Sequence, residues 1–315
     1  MMRMLTRSLL VLWLLGGFVC GAAAEELQQP RKGTYLIGFS QDTLGNDWRA
    51  AQVRALEQEF SRYPFIKFVY TDGEGDTAKQ IQDIEDLIAI GVDVLIASPK
   101  DAKAMTPVIS RAYRQGIPVI LLTRRIETDD FTTFISPDDE AIGRRAAQYL
   151  ARELKGKGKV LVLQGVPTAT TGILRTKGFH DEIAKHPGIE IVFEKPANYL
   201  RADAIQVMEE ALSKGIAFDA IFSQSDSMAD GARRALKKAG IDPKKILIVG
   251  IDYIAEARRA ILAGEEHATF TYPTCGAEGA QAALKILNNE PVLKIQMVES
   301  IMVTRDNVES VEPIF

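Results

Sequence analysis

The chain has 315 residues, 46% of them hydrophobic and 25% charged, the composition of an ordinary globular protein. That length allows one large domain or two medium ones. The formal net charge is -4 with no basic stripe, so nothing points to a nucleic acid or another polyanion as partner.

In chain order, the first element stands outside any fold. Arg3 and Arg7 precede the apolar stretch Leu9 to Val19, and Ala22-Ala23-Ala24 offers small residues for cleavage before Glu25. Residues 1–24 read as a secretory signal peptide whose core is too short for a comfortable membrane span. Cys20 raises lipidation as an alternative, with Gly17-Phe18-Val19 a poor lead-in because small residues are wanted just before a lipidated cysteine. Cleavage after Ala24 removes two arginines and no acid, taking the net charge from -4 to -6. Cys275 is then the one cysteine left, so no internal disulfide can form even in an oxidising compartment. No later segment reaches 18 uninterrupted apolar residues. An exported and released protein is expected.

From Thr34 onward, short apolar β-branched runs alternate with helical stretches. The runs are TYLIGFS, FIKFVYT, DVLIAS, IPVILLT, KVLVLQG, IEIVFEK, FDAIFSQ and ILIVGID. Between them, stretches such as 48–61, 78–90 and 102–115 place apolar residues at helical spacing. Strands apolar on both faces and alternating with helices predict parallel sheets covered on both sides, an α/β doubly wound protein. Four βα units run to Thr123, TTFIS (132–136) follows, and a second series of four strands begins at Lys159. The halves predict two lobes on one plan, with a ligand site beyond the carboxyl ends of the strands, in the cleft between lobes.

Polar and aromatic residues recur at those ends. Asn46, Asp47, Trp48 and Arg49 follow the first strand; Thr123, Arg124 and Arg125 follow the fourth. A Thr-rich segment leads to Arg175, and Asn198, Tyr199 and Arg201, then Ser225 and Asp226, then Asp252 follow later strands. Fork-shaped arginine donors and carboxylate acceptors together satisfy sugar hydroxyls, while an aromatic face covers the C–H side of a sugar ring. Each has a plainer reading: Trp48 as core, Asp226 as a helix cap, Arg175 as a surface salt bridge.

An enzyme finds little support. His180, His186 and His267 are isolated, with no partner at metal-ligand spacing, and neither a G-x-S-x-G elbow nor a P-loop occurs. The segment Asp72-Gly73-Glu74-Gly75-Asp76 lacks calcium-loop spacing and reads as a turn with Asp76 capping a helix. Cys275 reads as a small buried hydrophobe. No cofactor and no metal are expected.

The motifs GFSQ…NDWRAA (38–51), GVDVLIASPKD (91–101), GIPVILLTR (116–124), LQG…RTKGF (163–179), SQSDSMADGARRAL (223–236), VGID (249–252) and MVTRDNVESV (302–311) occur in this order. With them the chain resembles the periplasmic sugar-binding proteins of bacterial ABC importers, of the two-lobed class related to ribose- and galactofuranose-binding proteins, from about Tyr35 to Val308. Transcriptional repressors share the fold, but here an export signal stands where a DNA-binding segment would be.

The resemblance implies a periplasmic monomer that binds a small sugar or sugar derivative and meets an ABC permease or a sensor protein of the inner membrane. It implies an N-terminal lobe of residues 33–137 plus 273–299 and a C-terminal lobe of 138–272 plus 300–315. Its ligand contacts fall on Asn46, Trp48 and Arg49, where Trp-Arg points to the galactofuranose-binding branch, and on Arg124, Arg175, Tyr199 and Asp252, with Thr271 on the hinge side. Arg125 is expected at the surface or hinge. Two positions depart from the pattern: Thr123 stands where the family usually has Asp, and Ser225 where it usually has Asn. Arg49, Arg124 and Arg175 would then face Asp252 alone, which predicts a ligand with an anionic group, such as a sugar acid or sugar phosphate, or one lacking the hydroxyls that the Asp would read, unless another acid, Asp138 for example, restores the balance.

Overall fold

A strand that is apolar on both faces must have both faces covered, and a helix connecting it to a parallel neighbour provides that cover. The computed structural model describes residues 33–315, so the export segment read at 1–24 lies outside the described residues. In chain order the first half runs β1 (Tyr35–Gln41), α1 (Asp47–Phe60), β2 (Ile66–Asp72), α2 (Thr77–Ala89), β3 (Val94–Ser98), α3 (Ala102–Arg114), β4 (Val119–Leu122) and β5 (Thr133–Ser136). Next come α4 (Asp139–Glu153), β6 (Gly158–Gln164), α5 (Thr170–Ile183), β7 (Ile189–Pro196), α6 (Arg201–Ser213) and β8 (Ala220–Ser223). Then follow α7 (Asp226–Lys238), β9 (Leu247–Val249), α8 (Ala255–Ala263), β10 (Ala268–Phe270), α9 (Gly276–Leu287), β11 (Ile295–Met297) and β12 (Met302–Thr304).

These strands form two six-stranded sheets, ordered β11-β5-β4-β3-β1-β2 and β12-β10-β9-β8-β6-β7. All pairings are parallel except β12, which runs antiparallel to β10. The protein is thus two α/β lobes, each a parallel sheet with helices on its faces. The chain passes between sheets after β5, after β10 and between β11 and β12. In each sheet the order reverses beside the first strand, between β1 and β3 and between β6 and β8, and ligand crevices of open α/β sheets form at such points.

Burial follows the pattern of the runs. Every residue of β3 is buried, and so is every residue of β4 and β8. Phe179 of α5 stacks on Phe222 of β8 with ring centroids 4.3 Å apart, tying a helix to its sheet. Cys275 is buried in the core of the first lobe, where burial pushes its thiol well above the usual range. The acidic turn at 72–76 is held by the protein's own cations. Asp76 caps α2 by accepting from the Ala78 and Lys79 amides, and the Lys79 ammonium lies 3.2 Å from Asp83 and 3.8 Å from Glu74. Among the described residues, no helix is long and apolar enough to cross a membrane, and no three His, Cys, Asp or Glu are grouped to hold a metal.

Candidate functional site

The carboxyl ends of β1 and β3 in one lobe meet those of β6 and β8 in the other. Asn46 begins the site. Its side-chain oxygen caps α1, accepting from the Trp48 and Arg49 amides at 2.9 and 3.2 Å, while its amide nitrogen donates to the Tyr199 carbonyl of the opposite lobe at 2.6 Å. The cap aims the first turn of α1 at the cleft. Trp48 donates from Nε1 to the Tyr272 carbonyl at 2.9 Å, and its ring lies 5.6 Å from the Tyr272 ring. Arg49, its guanidinium 4.9 Å from the centre of the Trp48 ring, donates to the Ser98 hydroxyl at 2.8 Å.

Arg175 reaches the cleft from α5 because that helix packs backbone to backbone on α4. A Cβ at Gly143 would lie 2.2 Å from the Arg175 carbonyl, and one at Gly178 would lie 2.0 Å from the Glu140 carbonyl, so the crossing requires glycine at both places. Close approach brings Arg175 Nε within 2.8 Å of Asp139 Oδ1, while Nη1 donates to the Gln224 carbonyl at 2.6 Å. The Tyr272 hydroxyl donates to the other Asp139 oxygen at 3.1 Å, and the Arg175 guanidinium lies 4.3 Å from the Tyr272 ring and 5.7 Å from the Tyr199 ring. Burial by itself would weaken the guanidinium's hold on its proton, but Asp139 and the surrounding hydroxyl and carboxyl groups outweigh it and raise the Arg175 pKa.

Asn46, Trp48, Arg49, Thr171, Arg175, Tyr199, Ser225, Asp252 and Tyr272 enclose about 290 Å3 of free space, including what opens to solvent. Its floor is Asp252, whose carboxyl burial and nearby Asp226 raise well above the ordinary range, with Arg175 and Arg49 acting in opposition. Backbone strain collects around it: Tyr199 has φ 63°, Asp252 φ 128° and Thr123 φ 61°.

Seven of the residues expected to touch ligand therefore line one cavity: Asn46, Trp48, Arg49, Arg175, Tyr199, Ser225 and Asp252. Four do not. Asp138 is exposed and caps α4 through the Ala141 amide at 2.9 Å, so it does not line the cavity. Arg124 is buried behind the wall and donates to Asp42 Oδ2 at 2.7 Å, its guanidinium 5.7 Å from the Tyr199 ring. Thr123 is buried and donates to the Leu122 carbonyl at 2.7 Å, and Thr271 accepts from the Ile301 amide at 2.8 Å. Asp226, read as a cap, is instead a buried acceptor for the Tyr253 amide at 2.7 Å and the Thr269 hydroxyl at 2.8 Å; Ser225 is the cap. Arg125 sits partly exposed, 2.9 Å from Asp129.

The expected surplus of arginine needs correction. Asp42 faces both Arg124, at 2.7 Å, and Arg49, at 3.4 Å, and Asp139 holds Arg175, so Asp252 is not the only acid opposing them. Physically, a buried guanidinium requires a counter-charge, and the fold brings one from each lobe. Sequence reading missed Asp42, Asp139, Thr171 and Tyr272. Asp42 follows β1 directly and Thr171 lies in the Thr-rich approach to Arg175, so both had a strand-end signal; Asp139 and Tyr272 had none beyond adjacency to Asp138 and Thr271.

Contacts across the cleft join the lobes closely. Besides Asn46 and Trp48, the Thr168 hydroxyl donates to the Lys100 carbonyl at 3.1 Å and the Arg125 amide donates to the Thr170 hydroxyl at 3.1 Å. These contacts bridge the two lobes across a cleft lined by aromatic faces and charge-assisted donors.

A family model described as a periplasmic binding protein domain matches residues 37–291. The chain is similar to the putative rhizopine-binding protein of Rhizobium meliloti, with 31% identity covering 92% of this chain and 97% of that one. It is 32% identical to the ribose import binding protein RbsB of Bacillus subtilis, covering 86% and 88% respectively. Among solved structures it resembles the fructose-binding periplasmic domain of a hybrid two-component system, at 33% identity and a TM-score of 0.83, covering 87% of this chain and 92% of that one. These relatives are solute-binding proteins rather than enzymes. The chain belongs to the periplasmic binding protein family, in its two-lobed, sugar-binding class.

Proposed function

We propose that this protein is an exported binding protein that closes its two lobes on one neutral monosaccharide or sugar-like polyol and delivers it to an ABC permease. The observation that carries this is that the arginines of the cleft already have acids as partners, Asp42 beside Arg124 and Arg49 and Asp139 beside Arg175. A neutral ligand leaves those pairs intact, whereas an added anion would compete with carboxylates already in place. Trp48, Tyr199 and Tyr272 give the aromatic faces, and Arg49, Arg175 and Asp252 the donors and acceptor for hydroxyl groups. Closure turns on the segments near Pro137, Tyr272 and Glu299, with the lobes comprising 33–137 plus 273–299 and 138–272 plus 300–315. The signal peptide at 1–24 directs the protein to the periplasm, where it acts as a monomer.

A second reading, presentation of the closed form to a sensor, is favoured by the similarity to the fructose-binding domain of a two-component system. Both readings share the ligand step. A thermal-shift screen over neutral sugars, polyols, sugar acids and sugar phosphates tests it, because a ligand bound only by the folded state raises the melting temperature. A neutral compound is expected to give the largest shift, and Arg175→Ala to abolish it. A response confined to acidic compounds, or a shift that survives Arg175→Ala, contradicts the assignment.

A further inference from the structure

Asp42 lies one residue beyond β1 and is almost wholly buried. One of its oxygens, Oδ2, accepts from Arg124 at 2.7 Å; the other, Oδ1, lies 3.4 Å from Arg49 Nε and takes no hydrogen bond among the described residues. Arg124 Nε is likewise buried without a partner. Neither Asp42 nor Arg124 lines the cavity; Asp42 acts on it through Arg49, which does. Burial pushes the Asp42 carboxyl up, but Arg124 and then Arg49 more than offset it and hold it below the ordinary range, so Asp42 is ionised at neutral pH.

Position 123 sharpens the point. Thr123 has φ 61°, a conformation that a β-branched side chain adopts reluctantly and aspartate adopts more readily. Its hydroxyl is turned back to the Leu122 carbonyl and offers Arg124 nothing. The negative charge opposing Arg124 comes instead from the end of β1, two strands away in the sheet.

Resting on the cleft as the ligand site, we propose that Asp42 is the residue that makes it select an uncharged ligand. As a positioning residue it cancels the charge of Arg124 and shares Arg49, which lines the cavity. Removing that one charge without changing shape leaves the charge of two guanidinium groups uncompensated, that of Arg49 lining the cavity and that of Arg124 behind its wall.

The test compares wild type with Asp42→Asn, by calorimetric titration, using D-galactose against D-galacturonate and D-ribose against ribose 5-phosphate. The variant is expected to weaken the neutral member of a pair about ten- to a hundred-fold, the scale of one charged hydrogen bond, and to tighten the acidic one, reversing the preference. Adding Thr123→Asp returns a carboxylate beside Arg124 and restores the neutral preference; this pair of changes is read if Asp42→Asn alone does not fold. The inference is overturned by an Asp42→Asn protein that keeps the wild-type ratio of affinities, or by a folded double variant that prefers the acid. A wild type that itself binds the acids better contradicts the neutral-ligand reading, whatever Asp42→Asn does.

Discussion

Asp138 and Asp139 are neighbours in the chain, and the structure assigns them opposite roles, which makes their alanine variants a sharp comparison. Asp139 is buried, accepts from Arg175 Nε at 2.8 Å and from the Tyr272 hydroxyl at 3.1 Å, and is the carboxylate that compensates Arg175. Asp139→Ala leaves that guanidinium buried with only the Gln224 carbonyl, and breaking a buried pair from one side costs about 3–5 kcal/mol. At roughly 2–4 °C per kcal/mol for a chain of this order, the melting temperature is expected to fall about 6–20 °C. Asp138→Ala removes an exposed helix cap, a loss of about 1 kcal/mol. Ligand response should vanish in Asp139→Ala, because Arg175 loses the partner that fixes it beside Tyr272, and persist in Asp138→Ala. Thermal unfolding with and without the sugar reads both effects together. Equal melting temperatures for the two variants, or a full ligand response in Asp139→Ala, would refute the assignment of Asp139 as the counter-charge.

A Cβ at Gly165 would lie 1.9 Å from Tyr199 Cζ, far inside the roughly 3.5–4 Å of carbon–carbon contact. Gly165→Ala must therefore drive the Tyr199 ring off its place; a loss of about 1–3 kcal/mol and of ligand binding is expected, measured by melting and calorimetry. Glu266 is buried beside Arg233 and faces Asp226, and burial first, then Asp226, raises its carboxyl well above the ordinary value of 4.5. The folded state thus holds that proton more tightly than the unfolded chain does, so this contribution is complete below about pH 4.5 and is lost as pH rises through the folded value. Glu266→Gln should melt with a shallower decline than wild type between pH 5 and 8, and an identical slope would contradict the reasoning.

The layout of the lobes was legible because parallel strands buried on both faces leave uninterrupted apolar runs such as VLIAS of β3, every residue of which is buried. The short strand β11 left no such trace: it pairs only with β5, and Ile295 and Met297 face solvent, so its three residues show neither a continuous run nor a buried alternation. Strand-end placement found much of the cavity lining, since topology puts those ends together. It could not find which charges pair, because Asp42 and Arg124 are 82 residues apart and Asp139 and Arg175 are 36 apart. Choosing Asp138 over Asp139 was a matter of helical phase: the capping residue turns to the α4 amides while the next residue points into the cleft. The mistaken surplus of arginine followed from those unseen pairs.

The central claim is that a neutral sugar sits between the lobes, and a crystal structure of the protein with the sugar that most raises its melting temperature tests it most directly. The account predicts the sugar ring against Trp48 and Tyr272, with Arg49, Arg175 and Asp252 within about 3 Å of its hydroxyls. A sugar found elsewhere, for instance in the surface groove between Tyr149 and Arg305 of the second lobe, with the cleft left unoccupied, would contradict it.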